Sequence, residues 1–469
     1  MKFKTTLILF VAFVALLAFV LLFEEFKGKG EKDEKGKLVA LSSDDVQKIT
    51  LKRESDSITF EKTGEDDKQE WVIVEPLAAK ADKYEVDRLA DNFSDLRIER
   101  VVEEEPEDLE KYEIPKKEIT LWFKDREKPV RILLGAENPL DNTLFAKRED
   151  EARVVLIPSY LKSTVEKSLF DFRQKDIFRF ETGDVKTIKL RAKESRWEAE
   201  KKEDGWFLKR PVAALAKDNK ITGILNSLSG LKAKEFVTEE KNKEEVAQFE
   251  LDRPDYEVAL TMPVENQEVT FFLHKKDEKL YATTSLSSKI IEAEDSLLSE
   301  LGEAVADLRE KKVANFYSWE VNRLQLKWRE LDWVLVKDED DNWKFESPVQ
   351  EEADKSKVQT FIRKIESLEA EEFIDPPLDL KDYGLDEPQG EVKVWVKEDE
   401  ENFKEITILL GAEDKEAKKV VVKNALLDYL FRLDSAFLEE FPKELKDWKP
   451  EVKEEAKEEK DKKGKNSAF

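Results

Sequence analysis

A frame of four residues, Trp-x4-Pro-x4-Ala-x4-Val/Ile, occurs three times without slippage. Trp71 is followed by Pro76, Ala81 and Val86; Trp206 by Pro211, Ala216 and Ile221; Trp343 by Pro348, Ala353 and Val358. Such repetition makes the chain a tandem array of one unit, and an internal repeat constrains the fold more than local propensity does. The tryptophans lie 135 and 137 residues apart. That is the commonest domain size, large enough for a unit to bury its own core. A solenoid repeat of about 20–50 residues cannot do so.

Each unit opens with a paired-strand pattern. Val46, Ile49 and Leu51 recur as Val185, Ile188, Leu190 and as Val321, Leu324, Leu326. Seven residues further on, Ile58, Trp197 and Trp333 each begin a second short alternating run, and alternation of this kind predicts half-buried strands. A third strand carries the repeated Trp and is stopped by the Pro, which cannot donate to a ladder. Ala81-Asp82 and Ala353-Asp354 follow, with Lys217 in the Asp position of unit two. Asp82 and Asp354 suit helix starts, where a carboxylate caps free N–H groups. The next segment has one apolar stripe, Val86-Leu89-Phe93-Leu96 in unit one, which predicts an amphipathic helix. About four more strands and a closing helix complete the unit. The exit patterns around Phe172-Arg173 and Leu308-Arg309 place seams near 176 and 313.

Outside the repeats, Thr5 to Phe23 is a run of 19 uncharged residues preceded by Lys2 and Lys4. At about 1.5 Å per residue it would reach roughly 28 Å, close to the ~30 Å hydrocarbon core of a bilayer. It is too long, and ends too far from small residues, for a cleaved signal peptide. The expected organisation is a cytoplasmic N-terminus (1–4), a single-pass anchor in the lipid bilayer (5–23) and a polar linker (24–37). Repeat domains follow at 38–176, 177–313 (divergent) and 314–450, then a disordered charged tail (451–469). The lysines before the span put the bulk of the chain on the extracytoplasmic side of the inner membrane. The expected fold class is α+β: a transmembrane helix, then three repeats of an antiparallel sheet with two helices.

Composition excludes several chemistries. With 108 acidic and 82 basic residues the net charge is −26, opposed to nucleic-acid binding. No cysteine is present, so disulfides, thiol catalysis and Cys-ligated zinc are absent. Gly135 and Gly411, in Leu-Gly-Ala triplets, lack the Lys-Ser/Thr of a phosphate loop and are expected at turns needing positive φ. The single histidine, His274, aligns with those glycines and is expected at the surface, with no triad or metal partner. No metal-ligand spacing, cofactor motif or catalytic set emerges. Trp71, Trp206 and Trp343 could stack on a ligand, but positions that define a fold repeat while sites diverge. Core positions are therefore the expectation for them.

The strand pairs, Trp71-x4-Pro76-x4-Ala81-Asp82, the Asp108-Leu109…Tyr112-x-Ile114 turn and Leu133-Leu134-Gly135-Ala136 together resemble bacterial membrane-anchored proteins carrying the "domain of unknown function 4340". Unit three repeats the set with Asp379-Leu380…Tyr383-Gly384-Leu385 and Leu409-Leu410-Gly411-Ala412. Unit two lacks the Ala-Asp and Leu-Gly-Ala pieces. The resemblance implies a non-enzymatic envelope accessory factor, a partner of a type-2 ABC transporter or gliding-type complex, and supplies no catalytic residues. The alternatives are an extracytoplasmic glycan- or polymer-binding module using exposed aromatics, and a carboxylate-dependent hydrolase.

Overall fold

The computed structural model describes residues 36–450 apart from 65–68, 204, 264–266, 377, 398 and 400–401. Contacts divide the chain into a unit ending at Asp176 and a unit beginning at Ile177. The first holds one sheet, of nine strands. The second holds two, of nine and eight strands.

The sheets share one topology. In the first, the hairpin strands Val46–Arg53 and Ser57–Thr63 are followed outwards by the tryptophan strand, Glu70–Glu75, and a two-residue edge, Ala79–Lys80. On the other flank Val46–Arg53 pairs with Lys117–Phe123, which starts a four-strand meander. Arg100–Glu103, the strand after the helix, closes the far edge against Val154–Pro158. All of these pairings are antiparallel. Register puts like on like: Ile49 faces Phe60, Ile188 faces Ala199 and Leu324 faces Leu335, all fully buried. Cross-strand apolar pairs of this kind are the unit of sheet stabilisation.

One 12-residue helix crosses the inner face of each sheet: Lys83–Ser94, Asp218–Ser229 and Lys355–Glu366. Its stripe is buried, as Val86, Leu89 and Phe93 in the first and Val358, Phe361 and Ile365 in the third. Asp82 accepts from the Glu85 amide, and Asp354 from those of Ser356 and Lys357. Lys217 caps nothing with its side chain.

Several expectations need correction. The architecture is mostly antiparallel sheet with few helices, not α+β with two helices per repeat. The expected closing helix is two short turns in every repeat: Tyr160–Val165 and Leu169–Phe172, Leu297–Leu301 and Val305–Leu308, Ser435–Glu440 and Leu445–Trp448. The Ser168 capping box, Gly302 and Pro442 interrupt the segments before a continuous helix can propagate. The transmembrane, single-pass assignment is also withdrawn. Among the described residues no helix is long and apolar enough to cross a membrane. The longest have 12 residues, about 18 Å, and each has a polar face. The anchor expected at 5–23, the N-terminal segment, most of the linker and the charged tail lie outside the described residues.

In the second unit the two sheets are joined through the segment between them. Arg309 is 6% exposed at its side chain and makes a bidentate pair with Asp375, at 2.9 and 2.8 Å. Its guanidinium lies over Phe373, 3.8 Å from the ring centroid, and 4.9 Å from that of Tyr429. The Tyr429 hydroxyl accepts from the Leu215 amide at 3.3 Å, and the Asn424 amide donates to the Val313 carbonyl at 2.9 Å. Ala214 belongs to the apolar cluster of the third sheet. The core therefore continues across residue 313.

Candidate functional site

The repeated frame is a piece of backbone architecture. Trp71, Trp206 and Trp343 are 3%, 4% and 1% exposed, so none offers a ring face to a ligand. The amides of Ala81, Ala216 and Ala353 donate to the carbonyls of those tryptophans at 3.1, 2.9 and 2.9 Å. The next amide, of Asp82, Lys217 or Asp354, donates to Phe172, Leu308 or Trp448 in the closing segment. The Trp–Ala spacing thus ties the third strand to its edge and to the end of the same repeat. Pro76, Pro211 and Pro348 lie between, each after a cis peptide bond.

Gly135 and Gly411 sit inside strands, and neither has positive φ. Their role is close approach. A Cβ on Gly135 would lie 2.1 Å from the Tyr112 carbonyl oxygen, and one on Gly411 would lie 2.4 Å from that of Tyr383. The expected positive-φ turn is corrected accordingly. His274, the counterpart in the second repeat, also lies in a strand, Glu268–Lys276. Its side chain is 13% exposed and flanked by Glu250 at 3.3 Å and Asp255 at 3.2 Å, so it is more covered than a surface residue. Among the described residues no group of three or more potential metal ligands is assembled.

A second repeated device escaped the sequence reading. Lys62, Lys201 and Lys337 each stand 16 residues after the first valine of their repeat. Each donates its ammonium to a carbonyl of the short turn preceding the first strand: Asp44, Gly183 and Trp319, at 3.1, 3.2 and 3.1 Å. Lys62 and Lys337 also lie over Trp71 and Trp343. Burial pulls the Lys62 ammonium below the usual lysine range, against the opposing pull of Asp87 and Asp44.

On that turn the repeats diverge. The first presents Ser42 and Asp44, the second Glu181 and Gly183, the third Tyr317 and Trp319. Tyr317 and Trp319 stack on one another, with ring centroids 4.4 Å apart and planes at 17°, yet they are 53% and 64% exposed. Their turn is held firmly. The Ser318 amide donates to the Glu366 carboxylate, and Gln359 donates to the Ser318 carbonyl. Lys337, which holds the Trp319 carbonyl, also reaches Asp341 at 3.5 Å. The shared backbone geometry is thus made without aromatic residues in two repeats and with two large exposed rings in one.

A family model described as "Domain of unknown function (DUF4340)" matches residues 71–245 and again 206–377. Each match opens on a repeated tryptophan, and the second repeat contributes to both. No curated protein and no solved structure matches.

Proposed function

We propose that this chain, which belongs to the family of the "Domain of unknown function (DUF4340)", is a non-catalytic docking protein, an accessory subunit that holds an envelope partner protein on its third repeat. The exposed Tyr317–Trp319 stack carries this reading. The fold does not require aromatic residues there, since Ser42/Asp44 and Glu181/Gly183 serve the same turn. Large rings left in water forgo the free energy that burial would bring. Interfaces concentrate their binding energy in such rings, at 2 kcal/mol or more for a hot spot. The rigid turn beneath limits the entropy lost on docking. The envelope setting and the type of complex come from the family resemblance.

The exposed rings also support a second reading, a glycan-binding module, because a sugar face can stack on tryptophan. One experiment separates the two. A photo-crosslinking aromatic amino acid is placed at Trp319 of the full chain in its native host, with a matched probe at exposed Tyr160. The docking reading expects one discrete protein adduct from position 319 and none from 160. A carbohydrate adduct would support the second reading. Absence of any adduct specific to position 319 would overturn both.

A further inference from the structure

We propose that the outer face of the second sheet is an oxyanion site, and that its ligand carries phosphate. The face opposite the core has a hollow of about 550 Å³ lined by Lys189, Arg191, Arg196 and Arg210 with Glu198, Glu257 and Glu268. It is open because Ala259 and Thr270 are short beside these long side chains. Arg191 is paired with Glu257, and Glu198 is drawn to Lys209 at 3.8 Å. Lys189, Arg196 and Arg210 have no acidic partner among the described residues. Lys209 is held nearer to Glu200, at 3.3 Å, so the lining residues themselves set four cations against three carboxylates, an excess of one within a chain of net charge −26.

The fold does not demand these cations. Counted from the first valine or the tryptophan, the positions of Lys189, Arg196 and Arg210 are Thr50, Ser57 and Glu75 in the first repeat. In the third they are Gln325, Asp332 and Ser347. Both counterparts carry net negative charge where the second repeat carries three positive charges. Arg191 and Arg196 are moreover direct cross-strand partners. Glu257 balances Arg191, which leaves Arg196 opposite it with no neutralising partner of its own among the described residues. Arg210 and Lys189 flank Glu198 in one row across three strands, so their backbones stand about 10 Å apart at two strand spacings. Long side chains can converge across that gap on one group. Guanidinium forks match phosphate oxygens in two-point contacts. A phosphate monoester brings three acceptor oxygens to the three cations without a described acidic partner, Lys189, Arg196 and Arg210, where a carboxylate brings two.

The test is calorimetric titration of the full chain at low salt with inorganic pyrophosphate and, separately, with vesicles containing anionic phospholipid. Saturable binding of pyrophosphate is expected if the phosphate belongs to a soluble ligand, and binding of vesicles alone if it belongs to a lipid headgroup. In either case the Arg196→Gln/Arg210→Gln variant should bind at least about tenfold more weakly, since each lost two-point contact is worth about that much. Lys327→Gln, at the third-sheet counterpart of Arg191, should bind like wild type. Without ligand the double variant should melt close to wild type, because neither arginine has an acidic partner among the described residues to lose. No saturable binding of either probe would overturn the proposal, as would wild-type affinity in the double variant.

Discussion

Two buried tryptophans in equivalent positions should respond unequally to the same substitution. Trp71 donates its indole N–H to the Asp87 carboxylate at 2.7 Å. Sixteen residues after Trp343 the counterpart is Gln359, whose amide is spent on the Ser318 carbonyl. The Trp343 indole nitrogen is buried without an acceptor among the described residues. Replacing either ring by Phe removes similar volume, at about 1–2 kcal/mol. Trp71→Phe also loses a hydrogen bond to a charged acceptor, worth about 1.5–3 kcal/mol and discounted because Asp87 is partly exposed and keeps Lys83. Trp343→Phe instead removes an unsatisfied buried donor, recovering about 1–3 kcal/mol. The expected loss is about 2–3 kcal/mol for Trp71→Phe and within about 1 kcal/mol of zero for Trp343→Phe. Hydrogen exchange on the full chain reads each site separately. Amides of the Phe60 and Ile73 strands should lose roughly 30- to 150-fold protection in the first variant. Those of the Leu335 and Phe345 strands should change by less than about sixfold in the second. Equal losses, or a larger loss at Trp343, would refute the hydrogen-bond reasoning.

Tyr429 and Gly411 offer further tests. Burial pushes the Tyr429 phenol up to about 12, with the Leu215 amide and Arg309 opposing it. A folded-state pKa raised above the ordinary value of 10.0 contributes stability that is complete below pH 10 and is lost as pH rises towards 12. That should remove about 2–3 kcal/mol from the second unit, and Tyr429→Phe should flatten the loss in a pH series of melts. Gly411→Ala puts a Cβ 2.4 Å from the Tyr383 carbonyl oxygen and should cost about 1–3 kcal/mol in denaturant unfolding. His274→Ala, at the equivalent strand position, should cost less.

What was legible in the chain follows from what repeats. The spacing of Val46, Ile49 and Leu51 and the stripe Val86-Leu89-Phe93 are periodic, and periodicity is how a sheet face and a helix face announce themselves. The Trp–Ala interval shows in the sequence, but its cause, an amide-to-carbonyl bond closing each edge, does not. Lys62, Lys201 and Lys337 read as ordinary surface charge because a lysine stem can be buried while its head finds a carbonyl. Gly135 and Gly411 suggested a φ requirement because the approaching Tyr112 and Tyr383 carbonyls are tertiary contacts. The closing segment does not declare its form in sequence, since its apolar residues suit two short turns as well as one long helix. Tyr317 and Trp319 carry no repeat signal, because the pair is a departure from the repetition. Alignment on Val46, Val185 and Val321 would have exposed that departure.

On the docking proposal, Tyr317 and Trp319 do nothing for the fold. Importing the first repeat's residues, Tyr317→Ser with Trp319→Asp, tests it directly in one thermal melt of the full chain. The turn's bonds to Lys337, Glu366 and Gln359 use backbone atoms and survive the exchange. The exchange removes the stacking of two half-exposed rings, about 1 kcal/mol. The melting temperature should fall by no more than about 2–4 °C. A fall of about 8 °C or more would make the pair part of the fold's own stability and contradict the claim.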